Sequence, residues 1–356
     1  MFFKGNTVWF LTIFFVGILT AAQCSPASSQ PAASAQNETE RNEATTNEHD
    51  HVEAKHTELT EMVLGPGEKL RVVATSSIVA DMVKNVGGDL IALEFLLPLG
   101  SDPHSFQATP QDIAKVAQAH VLFANGLGLE EFLSELMTNA GGQAAVVALS
   151  EGVATGQMAE AEMAADEHGS AEHSEDEHAH AGTDPHTWTT PANAIIFVQN
   201  IEKALSALDP ANAATYQSNA KQYQGQLKEL DDWVKAQIEQ LPAENRKLVT
   251  DHTVFGYYAE RYGLAQVGAV MPAFSTASEP SAQELAALEQ IIIAQRVKAI
   301  FVGNTVNPGL EQRVTEDTGL KLVTLFTESL GPAGSGAETY VEYTRYNTTA
   351  IVEALK

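Results

Sequence analysis

Three histidines in this chain sit in turns of similar make-up. His104 closes Gly100-Ser101-Asp102-Pro103-His104, and His186 lies in Thr183-Asp184-Pro185-His186-Thr187-Trp188. His252 lies in Val249-Thr250-Asp251-His252-Thr253-Val254-Phe255. An imidazole is the side chain most often used to hold a transition metal, and it suits zinc and other late first-row ions. Any one of these histidines alone reads as a loop residue or a satisfied core imidazole. Three in equivalent contexts point instead to a shared ligand set. Proline beside two of them restricts the turn backbone, so the side chain loses little entropy on binding. A fourth donor is less defined: Leu325-Phe326-Thr327 ends a strand-like run and delivers Glu328, for which a solvated loop carboxylate is the competing reading. His120 sits at a strand entrance without such a turn and reads as structural or surface. The single cysteine, Cys24, excludes an intramolecular disulfide and a cysteine-based zinc site. A zinc hydrolase would place a general base beside an open coordination position. There is no His-Glu-x-x-His helix here and the candidate ligands are spread along the chain, so the expectation is not an enzyme.

The elements needed to position these residues alternate between strand and helix. Residues 69–76 form a β-rich run, residues 78–86 have helical spacing up to Gly87-Gly88, and Ile91 to Leu97 is apolar and stopped by Pro98. Thr109-Pro110-Gln111-Asp112 opens a helix with Thr109 as N-cap, and His120 to Asn125 is a third strand. From Pro191 to Leu241 the pattern is helical, broken near Asp209-Pro210, with Asp209 expected to cap the second helix. The apolar positions Tyr216, Tyr223, Leu227, Leu230, Val234 and Ile238 fall on one stripe of that helix. The alternation then resumes: strands at 247–250, 266–269, 299–302 and 320–325, helices at 255–262 and 281–295 (Ser281 and Glu284 as a capping box), and a closing helix from Tyr340 to Leu355. The fold class is therefore α/β: two lobes, each a mostly parallel sheet flanked by helices, joined by a long rigid spine helix. Ligands gather at the strand ends of such sheets.

Composition sets the surroundings. A net charge of −26 repels nucleic acid and anionic lipid and favours cations. Residues 1–23 read as an export signal, with Lys4, an apolar run from Val8 to Leu19 and small residues before Cys24. Ala21-Ala22-Gln23-Cys24 resembles a lipobox, although Gln23 departs from the small residue usual there, so Cys24 is the expected lipid anchor. Residues 24–67 read as a disordered tether carrying His49, His51 and His56. The N-terminal lobe is expected over 68–208, the linking helix over 209–241 and the C-terminal lobe over 242–356. Residues 158–182 form an inserted loop with eight acidic residues and His168, His173, His178 and His180. A metal-storage or adhesion protein using such His-rich loops is the other reading of this composition.

With these motifs in hand, the chain resembles the metal-specific solute-binding proteins of zinc and manganese ABC importers. Leu97-Pro98-Leu99-Gly100-Ser101-Asp102-Pro103-His104-Ser105-Phe106 is similar to the family's first ligand motif and Asp184-Pro185-His186-Thr187-Trp188 to its second. The run from Val249 through His252 to Leu264, with Glu279-Pro280-Ser281 beyond it, resembles the third, and Phe326-Thr327-Glu328-Ser329-Leu330 the fourth. The resemblance extends from about Leu70 to the C-terminus. It implies His104, His186, His252 and Glu328 as ligands of one divalent cation, with Glu328 where the family usually has Asp. Some zinc-type members use three histidines with water or a loop carboxylate, which leaves the fourth position open. Manganese-type relatives commonly carry Glu where this chain has His252, and an acidic His-rich loop is typical of zinc members. The resemblance thus implies Zn2+ as the transported ligand, with Mn2+ or Fe2+ as the alternative. It further implies an ABC permease as partner and a lipid-anchored, monomeric receptor in the periplasm or on the outer face of the cytoplasmic membrane. Two ligands would come from each lobe, closure would be modest, and binding would weaken as imidazoles protonate near ~6.5.

Overall fold

The computed structural model describes residues 59–155, 183–271, 273–277 and 279–356. The export signal, Cys24, most of the tether and the His-rich loop lie outside the described residues. Among those described, no helix is long and apolar enough to cross a membrane.

The first lobe is built on β1 (Leu70–Ala74), β2 (Ile91–Phe95), β3 (Val121–Ala124) and β4 (Ala145–Ala148). All pairs are parallel and the spatial order is β2-β1-β3-β4. Three helices, α1 (Ser77–Gly87), α2 (Pro110–Gln118) and α3 (Leu133–Asn139), carry the chain between the strands. The second lobe repeats the plan with β5 (Lys247–Thr250), β6 (Ala265–Ala269), β7 (Ala299–Gly303) and β8 (Lys321–Leu325), ordered β6-β5-β7-β8 and again parallel. Its connecting helices are α6 (Gly256–Tyr262), α7 (Ala282–Gln295) and α8 (Gly309–Thr318). The expected capping residues do their work. Thr109 with Asp112 at α2 and Ser281 with Glu284 at α7 each form a reciprocal box that satisfies otherwise orphaned helix N–H groups.

Three more helices complete the fold: α4 (Pro191–Leu208), whose apolar residues are buried in the first lobe's core, α5 (Ala213–Ile238) and the C-terminal α9 (Tyr340–Leu355). Along α5 the buried residues are Tyr216, Ala220, Tyr223, Leu227, Leu230, Val234 and Ile238, the single stripe that the sequence spacing requires. Its first five belong to the first lobe's core and its last two to the second's. α9 does the same, with Tyr340 and Tyr343 in the first core and Ile351, Val352 and Leu355 in the second. Two helices therefore cross the junction where the sequence pattern pointed to one.

Asp209 departs from its expected role. The chain makes one 3-10 turn over Pro210–Asn212 before α5 begins, and Asp209 caps no helix N–H. Its Oδ2 accepts instead from the Asn212 side chain and from the Tyr216 hydroxyl, each at 2.7 Å. The buried tyrosine one turn into the helix supplies the donor instead.

Candidate metal centre

All four sequence-selected residues converge at the carboxyl-terminal edges of the two sheets. His252 follows β5 by two residues and Glu328 follows β8 by three, while His104 lies in the loop between β2 and α2. His186 immediately precedes a 3-10 turn, Thr187–Thr189, that leads into α4 through the N-cap Thr190. One donor atom from each residue lies within 4.8 Å of the other three. Glu328 Oε1 is 2.9 Å from His104 Nε2, 3.5 Å from His252 Nε2 and 3.8 Å from His186 Nε2. His186 Nε2 is 3.4 Å from His104 Nε2 and 3.3 Å from His252 Nε2. His186 and His252 are completely buried, and Glu328 is 2% exposed. His120 stays apart: its Nδ1 accepts the Arg71 N–H at 3.1 Å, a structural role at the β1–β3 junction.

The aspartate in each turn explains why the motif repeats. The backbone N–H of His104 donates to Asp102 Oδ1 at 2.8 Å, and that of His186 donates to Asp184 Oδ1 at 2.9 Å. The N–H of His252 likewise donates to Asp251 Oδ1 at 2.8 Å. Asp184 Oδ1 also lies 2.7 Å from His186 Nδ1, and Asp251 Oδ1 lies 3.2 Å from His252 Nδ1. A carboxylate on Nδ1 keeps the proton there and turns the Nε2 lone pair toward the centre. Asp251 is itself held by the Gly303 N–H at 2.8 Å on its other oxygen. On the carboxylate side, Thr305 donates to Glu328 Oε2 at 2.8 Å, which leaves Oε1 facing the imidazoles without a hydrogen bond. These supporting residues were missed as such, although the recurrent Asp before each histidine was a visible signal. Thr305 had none.

Electrostatics divides the cluster. Burial alone would push the Glu328 carboxyl up, but His104 and His252 outweigh it and hold it well below the usual carboxylate range. Burial lowers His186 below the ordinary imidazole value against the pull of Asp184. At His252 burial also acts downward, yet Asp251 and Glu328 prevail and its pKa is pushed up to about 10. His186 and His252 are thus displaced in opposite directions from the ordinary imidazole value.

The donor set fits a divalent cation. A metal–ligand bond of ~2.0–2.1 Å makes each edge of a regular tetrahedron about 3.3–3.4 Å. Five of the six separations here span 2.9 to 3.8 Å around that value. The buried, unbonded Oε1 is the kind of polar atom that requires a partner.

Residues 72–354 match the ZnuA family, described as zinc-uptake complex component A, periplasmic. The chain belongs to that family. A manganese ABC transporter substrate-binding lipoprotein, PsaA, of Streptococcus mitis is 32% identical over 81% of this chain and 90% of its own length. The manganese-binding lipoprotein MntA of Halalkalibacterium halodurans is 30% identical over 81% and 89%. Among solved structures, the periplasmic zinc binding protein TroA of Treponema pallidum aligns with a TM-score of 0.69 at 30% identity, over 81% of this chain and 99% of that one. Family members bind divalent metal as the receptor components of ABC importers and are not enzymes.

Proposed function

We propose that this chain is an extracytoplasmic receptor that captures one Zn2+ through His104, His186, His252 and Glu328 Oε1 and hands it to a membrane permease. The observation that carries the zinc reading is the donor set itself, three imidazole nitrogens and one carboxylate oxygen at near-tetrahedral spacing. Such a set suits zinc, whereas manganese favours more oxygen ligands and higher coordination. Thr305 occupies the second carboxylate oxygen, which favours one-oxygen ligation by Glu328. With Zn2+ bound, three neutral imidazoles and one carboxylate carry a net charge of +1.

His104 and His186 belong to the first lobe and His252 and Glu328 to the second, so the cation joins the lobes. α5 and α9 cross the junction, and further bonds span it: Gly100 N–H to Ser329 Oγ at 2.8 Å and Tyr257 hydroxyl to the Asp184 carbonyl at 2.8 Å. These ties limit opening, so metal entry and release need only local motion of the rim. Docking on the permease distorts the coordination and frees the ion. The relatives' lipoprotein names support anchoring through Cys24, which would hold the receptor at the outer face of the membrane.

Manganese is the second reading, favoured by the names of the curated relatives. The test is a competitive titration of the metal-stripped chain with Zn2+ and Mn2+ beside His252→Ala. One tight zinc equivalent, lost in the variant, supports the zinc receptor. A tight manganese equivalent that zinc fails to displace assigns the site to manganese. Several weak equivalents insensitive to the substitution would remove the four-residue site altogether.

A further inference from the structure

Tyr340, Tyr343 and Asn347 occupy one face of α9, and all three are almost fully buried. None is adjacent in sequence to a candidate ligand, yet their polar atoms reach the backbone beside one ligand from each lobe. The Tyr340 hydroxyl donates to the carbonyl of Trp188, two residues past His186, at 2.7 Å. The Tyr343 hydroxyl donates at 2.7 Å to the carbonyl of Thr327, immediately before Glu328. Trp188 closes the loop by donating its indole N–H to that same carbonyl at 3.0 Å, while its ring meets the edge of His186 at 5.3 Å between centroids. Asn347 grips Phe326 from both sides, accepting its N–H at 2.9 Å and donating to its carbonyl at 2.5 Å. The helix itself is tied to the first lobe, because Asp81 of α1 accepts the Tyr340 N–H at 3.1 Å, and its far end is packed in the second core.

We infer that this face of α9 is a gauge that sets the separation of His186 and Glu328, and through it the coordination geometry and the choice of metal. Tyr340, Tyr343 and Asn347 are positioning residues in this scheme, which rests on the four-ligand reading proposed above. The Trp188 and Thr327 carbonyls are buried next to the ligands and must keep their donors, so the two turns cannot drift independently of the helix. The two half-sites come from different lobes, and α9 reads both at once.

Tyr343→Phe is the tolerable probe, because Trp188 still satisfies the Thr327 carbonyl when the hydroxyl is gone. Tyr340→Phe is its companion. Tyr216→Phe is the control: it removes an equally buried hydroxyl, bonded to Asp209 at 2.7 Å in the first core, away from both turns. The full chain is loaded with Co2+, whose visible absorption is intense in tetrahedral sites and weak in five- or six-coordinate ones, and zinc and manganese affinities are measured in parallel. Tyr340→Phe and Tyr343→Phe are expected to weaken zinc by about tenfold, as indirect partners of metal ligands do. They should also dim the Co2+ spectrum and narrow the zinc-over-manganese preference. Tyr216→Phe is expected to lower the melting temperature and leave the spectrum unchanged. Wild-type affinity and spectrum in both α9 variants, or an equal spectral change in Tyr216→Phe, overturns the gauge while His252→Ala still abolishes binding. If His252→Ala also binds Co2+ like the wild type, the four-ligand reading itself has failed.

Discussion

Replacing Glu328 with Gln keeps the shape of the side chain and removes its charge, which isolates what the carboxylate contributes. Oε1 faces three imidazole nitrogens at 2.9 to 3.8 Å and Oε2 is fixed by Thr305 at 2.8 Å, so the amide can be seated without rebuilding the turn. The bound cation then loses its only first-sphere anion in a site where Glu328 is 2% exposed. Deleting one partner of a buried charge pair costs roughly 3–5 kcal/mol. At ~1.4 kcal/mol per factor of ten, that is about two to three and a half orders of magnitude in affinity. One effect opposes it. Glu328 also helps hold His252 protonated in the cation-free state, so its removal makes that imidazole easier to deprotonate for binding. The expected net loss at neutral pH is therefore about 100-fold, near the lower end. The assay is competition against a chromophoric chelator strong enough to keep weak loop sites empty. A Glu328→Gln affinity within about threefold of wild type would refute the reasoning and give the fourth position to water.

Three further outcomes follow from the same geometry. Asp251 and Glu328 hold the His252 imidazole up at about 10, and a ligand must be neutral, so raising the pH removes a competing proton. Apparent zinc affinity should climb close to tenfold per unit from about pH 7 to about pH 9, whereas an ordinary imidazole near ~6.5 would give a plateau above about pH 7.5; titrations at stepped pH distinguish the two. Gly303→Ala places a Cβ against Thr327 Oγ1 and 2.9 Å from Asp251 Oδ2, so it should displace the carboxylate behind His252. Zinc affinity should fall about 10- to 100-fold with the α/β circular-dichroism signature retained, and unchanged affinity would count against the Asp251 support. Deleting residues 158–182 should remove weak metal equivalents and keep one tight one, measured by equilibrium dialysis; loss of the tight equivalent would favour storage in the loop.

How much of this was legible in the sequence depended on how local the signal was. Helices marked by a capping box, α2 and α7, or by an apolar stripe, α5, could be placed because those signals are written in neighbouring residues. β4 escaped because it is a half-buried edge strand of two alanines and two valines, with no alternation to mark it. α8 escaped because it has no side-chain N-cap bond and buries only Glu311 and Val314. The histidines could be singled out because two share the short Asp-Pro-His turn and the third follows an aspartate directly, and the bond from each histidine N–H to its aspartate shows why those residues occur together. Glu328 was harder: the same residue in a loop is usually solvated, and only the fold brings Oε1 under three imidazoles. The contribution of α9 could not be read at all, since Tyr343 and Thr327 meet through a hydroxyl and a backbone carbonyl that no local pattern records.

In the proposed receptor, four named atoms from two lobes hold one cation. Crystals of the zinc-loaded chain, measured above and below the zinc absorption edge, test it most directly through an anomalous difference map. The account predicts one strong peak about 2.0–2.1 Å from Nε2 of His104, His186 and His252 and from Glu328 Oε1, with Oε2 still held by Thr305. A peak elsewhere, or one with Glu328 turned away and a water in its place, would contradict it.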